Sequence, residues 1–558
     1  MRTRTSTRWR AGFALALAAV MAAAAACGSG GSGTAKSSGP SGLITVTGSS
    51  TPFAANFNPY SPTVEIGAIG MIYEPLMFFN TAKAGDVQPW LAKSYTWNSD
   101  GTAITFKLRT GVTWNDGKPF TAADVAYTFN LDAQDAALNT NGLPLKNAVV
   151  QGDDTVTVNF TKPAYQNLVY IAGKTMILPE HIWSTVKDKK TFADANPVGT
   201  GAWMVGKLNS QVMELNANPH YYLAGLPKIK TMRFVTFSGN STADQAITSG
   251  QIDWAGGFIP DIKKNYLAKN AKYAVEDIPL SVTYLVPNYK QGPTSQPAVR
   301  KAISQAIDRD FISQSVYNGY APATNPMDLL TPNFNSVLDP TLADQKFGAA
   351  DPAGAKSTLQ AAGYTLGSDG VFKDASGKQL SISIKVVTGW SDYISVLQIA
   401  EQELATAGIK VTVQSEAYAS WLQDQNTGNF ELMIDNFGYT SDPYQYYNQL
   451  LNGSVAPALG KVDQFGDYGR YDNPQVDQLL AQIVATTDTA AQKADFYQIE
   501  HLVLQDMPTI ALFAAQDEIE FNGNHVKEFP TTDNPYAAPP IWLQPDEGWV
   551  ALHLAPAS

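Results

Sequence analysis

The chain has 558 residues, of which 38 are basic and 50 are acidic, so its formal net charge is −12 at pH 7. This length exceeds what one hydrophobic core holds, so two or three domains are expected. Hydrophobic residues make up 44% of the chain, which is typical of a globular protein. The acidic balance, with no run of basic residues beyond the amino-terminal stretch, argues against a nucleic-acid partner.

The first 26 residues have the pattern of an export signal. Residues 1–10 hold four arginines and no acid, and residues 11–26 are apolar. The apolar run has 16 residues, fewer than the ~20 that a membrane-spanning helix needs. We therefore expect a signal peptide at residues 1–26 rather than a membrane span.

Cys27 is the single cysteine of the chain and follows three alanines. A lone cysteine is unusual in an exported protein. This stretch resembles a bacterial lipoprotein signal, in which the cysteine becomes the first residue and carries lipid, although Ala24 stands at the usual leucine position. The alternative is a plain secretory signal with an unused thiol. The resemblance implies a protein at the cell surface, anchored through Cys27 to the outer face of the cytoplasmic membrane.

Residues 27–42 are rich in glycine and serine, which is typical of a flexible tether. No later segment is long and apolar enough to span a membrane. Because there is no second cysteine, packing without an intramolecular disulfide must hold the fold. An exported, tethered body points to solute capture, sensing or cell-wall chemistry.

Apolar patterning predicts the first elements of the body. We expect a strand at residues 43–47 and a helix over the apolar stretch 64–79. Residues 95–109 alternate apolar and polar side chains, which predicts a hairpin with one buried face, and residues 156–160 repeat the pattern. Between them, Thr121 is a favourable N-cap for a helix.

Motifs spread over nearly the whole chain resemble one family, the extracellular solute-binding proteins of family 5, which are the peptide-type receptors of ATP-driven importers. The motifs are WNSDG at 97–101, FKLRTGVTW at 106–114, DGKPFTAADV at 116–125, NPVGTGAW at 196–203, NPHYY at 218–222, GQID at 250–253, PAVRKAISQAIDR at 297–309, YDNP at 471–474 and DMPTIALF at 506–513. Each is weakly specific alone, but they occur in the order that the family has.

Strands and helices alternate in the second half of the chain, which predicts a largely parallel sheet. Residues 299–307 place their apolar side chains on one helical face. Pro474 after Asn473 opens another helix. Residues 382–387 and 409–413 are predicted strands joined by a helix, which makes a β-α-β unit.

Two aromatic loops follow the carboxyl ends of predicted strands. Trp390 follows the first strand of the β-α-β unit, and Phe437, Gly438 and Tyr439 follow a strand at 431–435. Open α/β sheets bind ligands beyond these ends. If the strands are parallel, both loops line one ligand cleft. For Trp390 the equally weighted alternative is a tryptophan packed under its loop.

In the resembling peptide receptors, the second loop often holds an aspartate that pairs with the free amino group of the peptide. Alignment on Asp442-Pro443 puts Tyr439 at that place, so the expected acid is missing. Asp435 and Asp442 are the alternative acids, but neither sits at the matching position. A buried ammonium without a carboxylate costs several kcal/mol. An aromatic ring there suits a neutral ligand, such as a sugar.

Further candidates for the cleft are scattered through the chain. They are Asn58, Tyr73, Trp203, Trp254 and Trp421. For each of them, a place in the core is the commoner role of such a residue.

Enzyme motifs are incomplete or missing. The Gly-Lys-Thr at 173–175 has Leu168 where a phosphate loop requires glycine. The chain has no Gly-x-Ser-x-Gly elbow, and its five histidines lack metalloprotease spacing. We predict no enzyme activity, no cofactor and no metal site. A nickel- or chelate-binding role and a tethered cell-wall hydrolase are the rival hypotheses.

The resemblance implies an α/β fold of the periplasmic-binding-protein type, with two lobes, a hinge and an interlobe cleft (class II, the three-domain oligopeptide-receptor type). Domain I would comprise 43–79, 196–283 and 515–558, domain II the insert 80–195, and domain III 284–514. It implies a monomeric receptor that closes on an oligopeptide and delivers it to the membrane permease of an ABC importer. An oligosaccharide is the alternative solute.

Overall fold

The computed structural model describes residues 42–331, 333–463, 466–515 and 517–557. The predicted signal peptide, Cys27 and the predicted tether up to residue 41 lie outside the described residues. Within the described part of the chain, none of the helices has the length and apolar character needed to cross a membrane.

Strands are found from one end of the described chain to the other. They are β1 Leu43–Thr47, β2 Met77–Phe79, β3 Val87–Pro89, β4 Ala92–Trp97, β5 Ala103–Leu108, β6 Leu145–Val150, β7 Thr155–Phe160, β8 Trp203–Leu208, β9 Val212–Ala217, β10 Thr231–Val235, β11 Trp254–Gly256, β12 Tyr273–Asp277, β13 Ser281–Pro287, β14 Thr365–Leu366, β15 Phe372–Lys373, β16 Ser381–Val387, β17 Lys410–Glu416, β18 Leu432–Gly438, β19 Ile510–Ala515, β20 Glu518–Asn522, β21 Val526–Lys527 and β22 Ala555–Pro556.

Most of the long helices lie in the second half of the chain. The helices are α1 Ala122–Gln134, α2 Glu180–Trp183, α3 Asn240–Thr248, α4 Ile262–Asn265, α5 Pro297–Ala306, α6 Arg309–Tyr317, α7 Pro352–Ala361, α8 Ser391–Thr406, α9 Tyr418–Thr427, α10 Pro443–Leu451, α11 Pro474–Ala485, α12 Thr489–Asp506 and α13 Asp546–His553. Short 3₁₀ turns include Tyr165–Asn167.

The first lobe is built on a seven-stranded mixed sheet and a four-stranded antiparallel sheet. The larger sheet has the order β12-β20-β11-β1-β10-β9-β8, and the smaller one has the order β4-β5-β7-β6. In the smaller sheet, the alternating residues Ile104, Phe106 and Leu108 are buried, as the hairpin prediction requires. Thr121 caps α1 in a capping box with Asp124, so that prediction is also confirmed.

The second lobe is built on a five-stranded sheet of order β17-β16-β18-β13-β19. The pairs β16–β17 and β16–β18 are parallel, and the pairs of β13 with β18 and β19 are antiparallel. The predicted β-α-β unit is confirmed as β16-α8-β17. Four of the five strands, β16, β17, β18 and β19, therefore run in the same direction, and β13 alone runs against them. The prediction of a largely parallel sheet holds for the strand directions, although β13, inserted between β18 and β19, makes two of the four pairings antiparallel.

The chain passes between the lobes twice, through two adjacent crossing segments, which comprise residues 277–281 and, among the described residues, 515 and 517–518. In the first lobe Asp277 pairs with Glu518 in the β12–β20 ladder, and in the second Ser281 pairs with Ala515 in the β13–β19 ladder. Two short connections held side by side are the arrangement of a hinge.

The predicted helix over residues 64–79 is wrong. This stretch forms turns, and only Met77–Phe79 is a strand. Gly67 and Gly70 adopt left-handed conformations (φ +78° and +87°), which interrupt a helix. The backbone bonds instead to the segment before β8, where the Gly201 N–H donates to the Ile72 carbonyl at 2.9 Å.

This packing predicts that Gly201→Ala destabilises the first lobe. An added Cβ would lie 2.1 Å from the Met71 carbonyl oxygen and 2.7 Å from that of Ile72. Because both neighbours are backbone, we expect a loss of about 3 kcal/mol in the free energy of unfolding, measured by urea denaturation. Gly348→Ala is the control, since nothing lies within 4 Å of its added Cβ. Equal stability of the two variants would contradict the described packing.

Candidate functional site

Aromatic rings gather at the carboxyl end of β16. Trp390 follows this strand, and its ring centroid lies 5.3 Å from that of Trp421 and 6.2 Å from that of Tyr418. Trp421 is only 2% exposed, and its indole N–H has no hydrogen-bond partner among the described residues. Trp390 is half-buried against the core of the second lobe. The structure therefore brings Trp390 and Trp421 together and leaves Trp390 partly accessible.

The neighbouring strand, β18, is longer than predicted and includes Phe437 and Gly438. Phe437 is buried between Tyr284 and Tyr468, with centroid distances of 6.2 and 5.5 Å. Two residues earlier on the same face of the strand, the Asp435 carboxylate accepts hydrogen bonds from Gln425 and from the Asn436 N–H. Burial raises the pKa of Asp435 to about 7. The predicted loop begins only at Tyr439, because the pairing of β18 with β13 runs to Gly438.

Tyr439 connects the second lobe to a crossing segment. Its backbone has φ +36°, and its N–H donates to the Leu280 carbonyl at 2.8 Å. Its hydroxyl accepts from Nδ2 of Asn436 at 2.7 Å and donates to Oδ1 of Asp517 at 2.9 Å. Burial and the charge of Asp517 raise the pKa of Tyr439, so the phenol remains a donor. Tyr439 therefore contacts its neighbours through its hydroxyl, whereas the sequence analysis expected its ring to stack against the solute.

The two lobes also touch beside the crossing segments. Asn240, at the start of α3, donates through its N–H to the Gly389 carbonyl at 3.1 Å and through Nδ2 to Asp392 at 3.1 Å. Gly239 and Gly389 approach so closely that a Cβ on Gly239 would lie 2.9 Å from Cα of Gly389. On the far side, the 3₁₀ turn Tyr165–Asn167 of the first lobe packs on α11. The loops that follow β16 and β18 thus lie where the lobes meet.

Three predicted site residues lie instead in the core of the first lobe. The Asn58 amide donates to the carbonyls of Lys189 and Phe192, both at 2.7 Å. The Tyr73 hydroxyl donates to Asp194 at 2.5 Å, and the Trp254 indole donates to the Pro539 carbonyl at 2.9 Å.

All three side chains are buried, as is the lesser candidate Trp203. The hydrogen bonds of Asn58, Tyr73 and Trp254 join parts of the first lobe to one another, so these side chains are not proposed as solute contacts.

Sequence reasoning missed two residues next to Tyr439. Asp517 lies in the second crossing segment, and Trp542 is 42% exposed beside the Tyr439 hydroxyl. The available signal for Asp517 was its place directly after the apolar strand β19, at the predicted domain boundary. Trp542 lies in a proline-rich stretch without periodicity, so no sequence pattern distinguished it from the other tryptophans.

Comparison with known proteins gives the same family as the motifs. The model of bacterial extracellular solute-binding proteins, family 5 (Middle), matches residues 86–457. The nickel-binding periplasmic protein of Escherichia coli is 25% identical over 470 residues, covering 80% of this chain and 85% of that protein. The glutathione-binding protein GsiB of Shigella dysenteriae is 26% identical over 539 residues, covering 91% and 96%.

Solved structures agree on the fold. The mannohexaose-bound periplasmic oligopeptide-binding protein of an ABC transporter from Thermotoga maritima is 26% identical, with a TM-score of 0.84 over 93% of this chain and 99% of that one. AppA of Bacillus subtilis, bound to a nonapeptide, is 21% identical with a TM-score of 0.78 over 93% and 99%, which supports the fold alone. The chain therefore has the two-lobed α/β fold and belongs to the bacterial extracellular solute-binding proteins of family 5, whose members are receptors that bind small solutes and work with ABC permeases.

Proposed function

We propose that this protein is a monomeric, lipid-anchored receptor that captures an oligopeptide between its lobes and passes it unchanged to an ABC permease. The observation that carries the proposal is the meeting of the loops after β16 and β18 with the first lobe at the paired crossing segments. A solute held there touches both lobes. It stabilises the closed form by as much as its affinity for that form exceeds its affinity for the open one.

The proposed solute contacts are Trp390, Trp421 and the end of β18 with Tyr439. Phe437 and Gly438 are proposed to act indirectly. They are the last two residues of β18, and the packing of Phe437 in the core of the second lobe holds the strand end from which Tyr439 follows. Domains I, II and III as bounded above are proposed as the moving parts. Each of the three large sheets has its strands within one of these domains, apart from the ends of β13 and β19.

An oligosaccharide is the second candidate solute, and two observations favour it. Tyr439 occupies the position where an ammonium-pairing acid was expected, and the partly exposed rings of Trp390 and Trp542 offer faces for a sugar ring. The Thermotoga maritima relative carries mannohexaose. Calorimetric titration with trialanine and with mannohexaose separates the two classes, and turnover of either compound would point to the hydrolase hypothesis instead.

Closure predicts a specific effect of Gly239→Ala. The added Cβ would collide with the backbone of Gly389 in the opposite lobe, so neither glycine can yield without a shift of the lobe. We expect a solute that compacts the wild-type protein in small-angle scattering to bind the variant about tenfold more weakly, without full compaction.

The control for closure is Gly257→Ala, whose Cβ would meet only Cδ1 of Ile247 at an ordinary 3.7 Å. Thermal unfolding without solute should be alike in both variants, because the collision is between lobes and not within one. Unchanged solute binding and compaction in Gly239→Ala would show that closure does not use this contact.

Tyr439→Ala tests the assignment of the solute contacts. The change removes the ring and the hydroxyl that connects β18 to the crossing segment, so we expect a loss of about 2 kcal/mol or more in solute binding, measured by titration calorimetry. Phe311→Ala is the control, because Phe311 is 56% exposed on α6. If affinity for the bound solute is the same in Tyr439→Ala as in the wild type, Tyr439 is not part of the site.

The anchor is tested by Cys27→Ser in the full-length chain. If Cys27 carries lipid, the wild-type protein partitions into detergent and keeps to the membrane fraction, since two or more acyl chains hold a protein stably. We expect the variant to lose this attachment while its solute binding remains unchanged. Mass spectrometry of the mature amino terminus gives the modification directly. An unmodified Cys27 in the wild-type protein would support the plain secretory signal.

A further inference from the structure

Six carboxylates gather around the crossing segments, drawn from both lobes. They are Asp244, Asp277, Asp392, Asp517, Glu518 and Glu520. Among the described residues, none of them forms an ion pair with a lysine, an arginine or a histidine. All but Asp392 have a buried oxygen without a hydrogen-bond partner in the described chain. The crossing segments therefore hold several buried acids that no basic side chain of the described chain compensates.

Asp517 is the most constrained of these groups. It is 6% exposed, Oδ1 accepts from Tyr439, and Oδ2 has no partner among the described residues. Glu74, in the core of the first lobe, is by contrast a buried acid with hydrogen bonds to both of its oxygens. Its carboxylate accepts from Trp90, Thr200 and Tyr221 at 2.7–2.9 Å. A buried carboxylate oxygen left unpaired is costly to stability, and Glu547 in the first lobe shows that this chain also has such oxygens away from the crossing segments. Oδ2 of Asp517 differs in its position beside the proposed solute contacts, where a donor on the solute could pair with it.

An exposed indole lies next to this acid. Trp542 lies near the Tyr439 hydroxyl, which donates to Asp517. It also lies over Gly256, where an added Cβ would be 2.3 Å from Cζ3 of the indole. Gly256 pairs with Ile519, two residues after Asp517, so the indole and the carboxylate lie at the same end of β20. A carboxylate beside an accessible aromatic face is a favourable site for an organic cation.

A metal ion fits this place poorly. Within the described residues, no three carboxylate, imidazole or thiol side chains lie close enough to hold one. The carboxylates are spread along the crossing, which suits a cation whose charge is carried on N–H donors.

We infer that the solute of this receptor carries an ammonium or guanidinium group, and that this group binds at the crossing segments to Oδ2 of Asp517 and against the Trp542 indole. The inference rests on the proposed receptor function and names the chemical class of its solute. The acid that Tyr439 displaces from the loop after β18 is thus supplied by the crossing segment.

The surroundings of Asp517 give the site a pH dependence. Burial raises the pKa of Asp517 to about 7, and that of Asp277, which faces it, to about 6. Burial and the neighbouring Asp277, Asp392 and Asp244 raise the pKa of Glu518 to about 8. The other titratable groups here are Tyr393 and Tyr439, which stay neutral.

Because these folded-state pKa values are raised, the stabilising effect of protonation is present at low pH and is lost as the pH rises through about 6–8. Affinity for a cation should rise over the same range, because it requires the ionised carboxylate.

The test is a titration of wild-type protein and Asp517→Asn with trialanine, arginine and spermidine as cationic probes, and with N-acetyl-trialanine amide and mannohexaose as neutral probes. We expect at least one cationic probe to bind the wild type about tenfold or more tightly than either neutral probe, and more tightly at pH 8 than at about pH 5.5. Asp517→Asn should lose this preference. Without solute it should unfold at a higher temperature than the wild type at pH 8, because an unpaired charge is removed.

The matched control is Asp344→Asn, which neutralises an exposed acid of the second lobe and should change neither affinity nor stability. Trialanine and spermidine distinguish a peptide amino group from a free polyamine. A preference that survives in Asp517→Asn, or is matched by Asp344→Asn, overturns the inference.

Failure of the inference differs from failure of the proposed function. Tight binding and compaction with a neutral probe, unaffected by Asp517→Asn, overturns the cation site and leaves the receptor function intact. Absence of binding by every probe, with no small molecule found on the purified protein by native mass spectrometry, overturns both.

Discussion

The hydrogen bond between the Tyr439 hydroxyl and Asp517 connects the first residue after β18 to the second crossing segment. On one side of it lies the sheet of the second lobe, and on the other lies the strand that returns to the first lobe. Its geometry depends on three conditions: the left-handed backbone at Tyr439, the N–H bond to Leu280 and the amide of Asn436. Any rotation of one lobe against the other must change this bond, so its strength enters the equilibrium between open and closed forms.

The crossing segments bear two demands that conflict. They must be short enough to bend, and they must hold the sheets of the two lobes in register. The register is held by two residue pairs, Asp277 with Glu518 in the first lobe and Ser281 with Ala515 in the second. Placing acids at these positions costs stability, because their pKa values are raised by burial and by one another. Functional sites commonly carry such local costs, and the cores of the two lobes compensate for them.

The sequence predicted what depends on local periodicity and on motifs. The hairpin with Ile104, Phe106 and Leu108 inward, the N-cap Thr121, the β-α-β unit with Trp390 at its carboxyl end and the family itself were all accessible. The turns of segment 64–79 could not be predicted in this way, because two of its backbone carbonyls accept hydrogen bonds from the N–H groups of residues 201 and 203, which are distant in sequence. The burial of the cleft candidates Asn58, Tyr73 and Trp254 was not predictable for the same reason: their partners, among them Asp194 and Pro539, lie far along the chain.

In the proposed site, the acid that binds the solute is Asp517 on a crossing segment instead of an aspartate on the loop after β18. This difference in position changes how solute binding affects the hinge. A carboxylate on a loop of one lobe only holds the solute, whereas a carboxylate on a crossing segment couples its neutralisation to the position of both lobes. Asp244 of the first lobe lies near Asp392 of the second, and burial together with the charge of Asp392 raises the pKa of Asp244 to about 7. A cation that binds at Asp517 reduces the local negative potential that these acids share. Closure is then favoured by the charge of the solute as well as by its contacts, because the repulsion is greatest in the closed form.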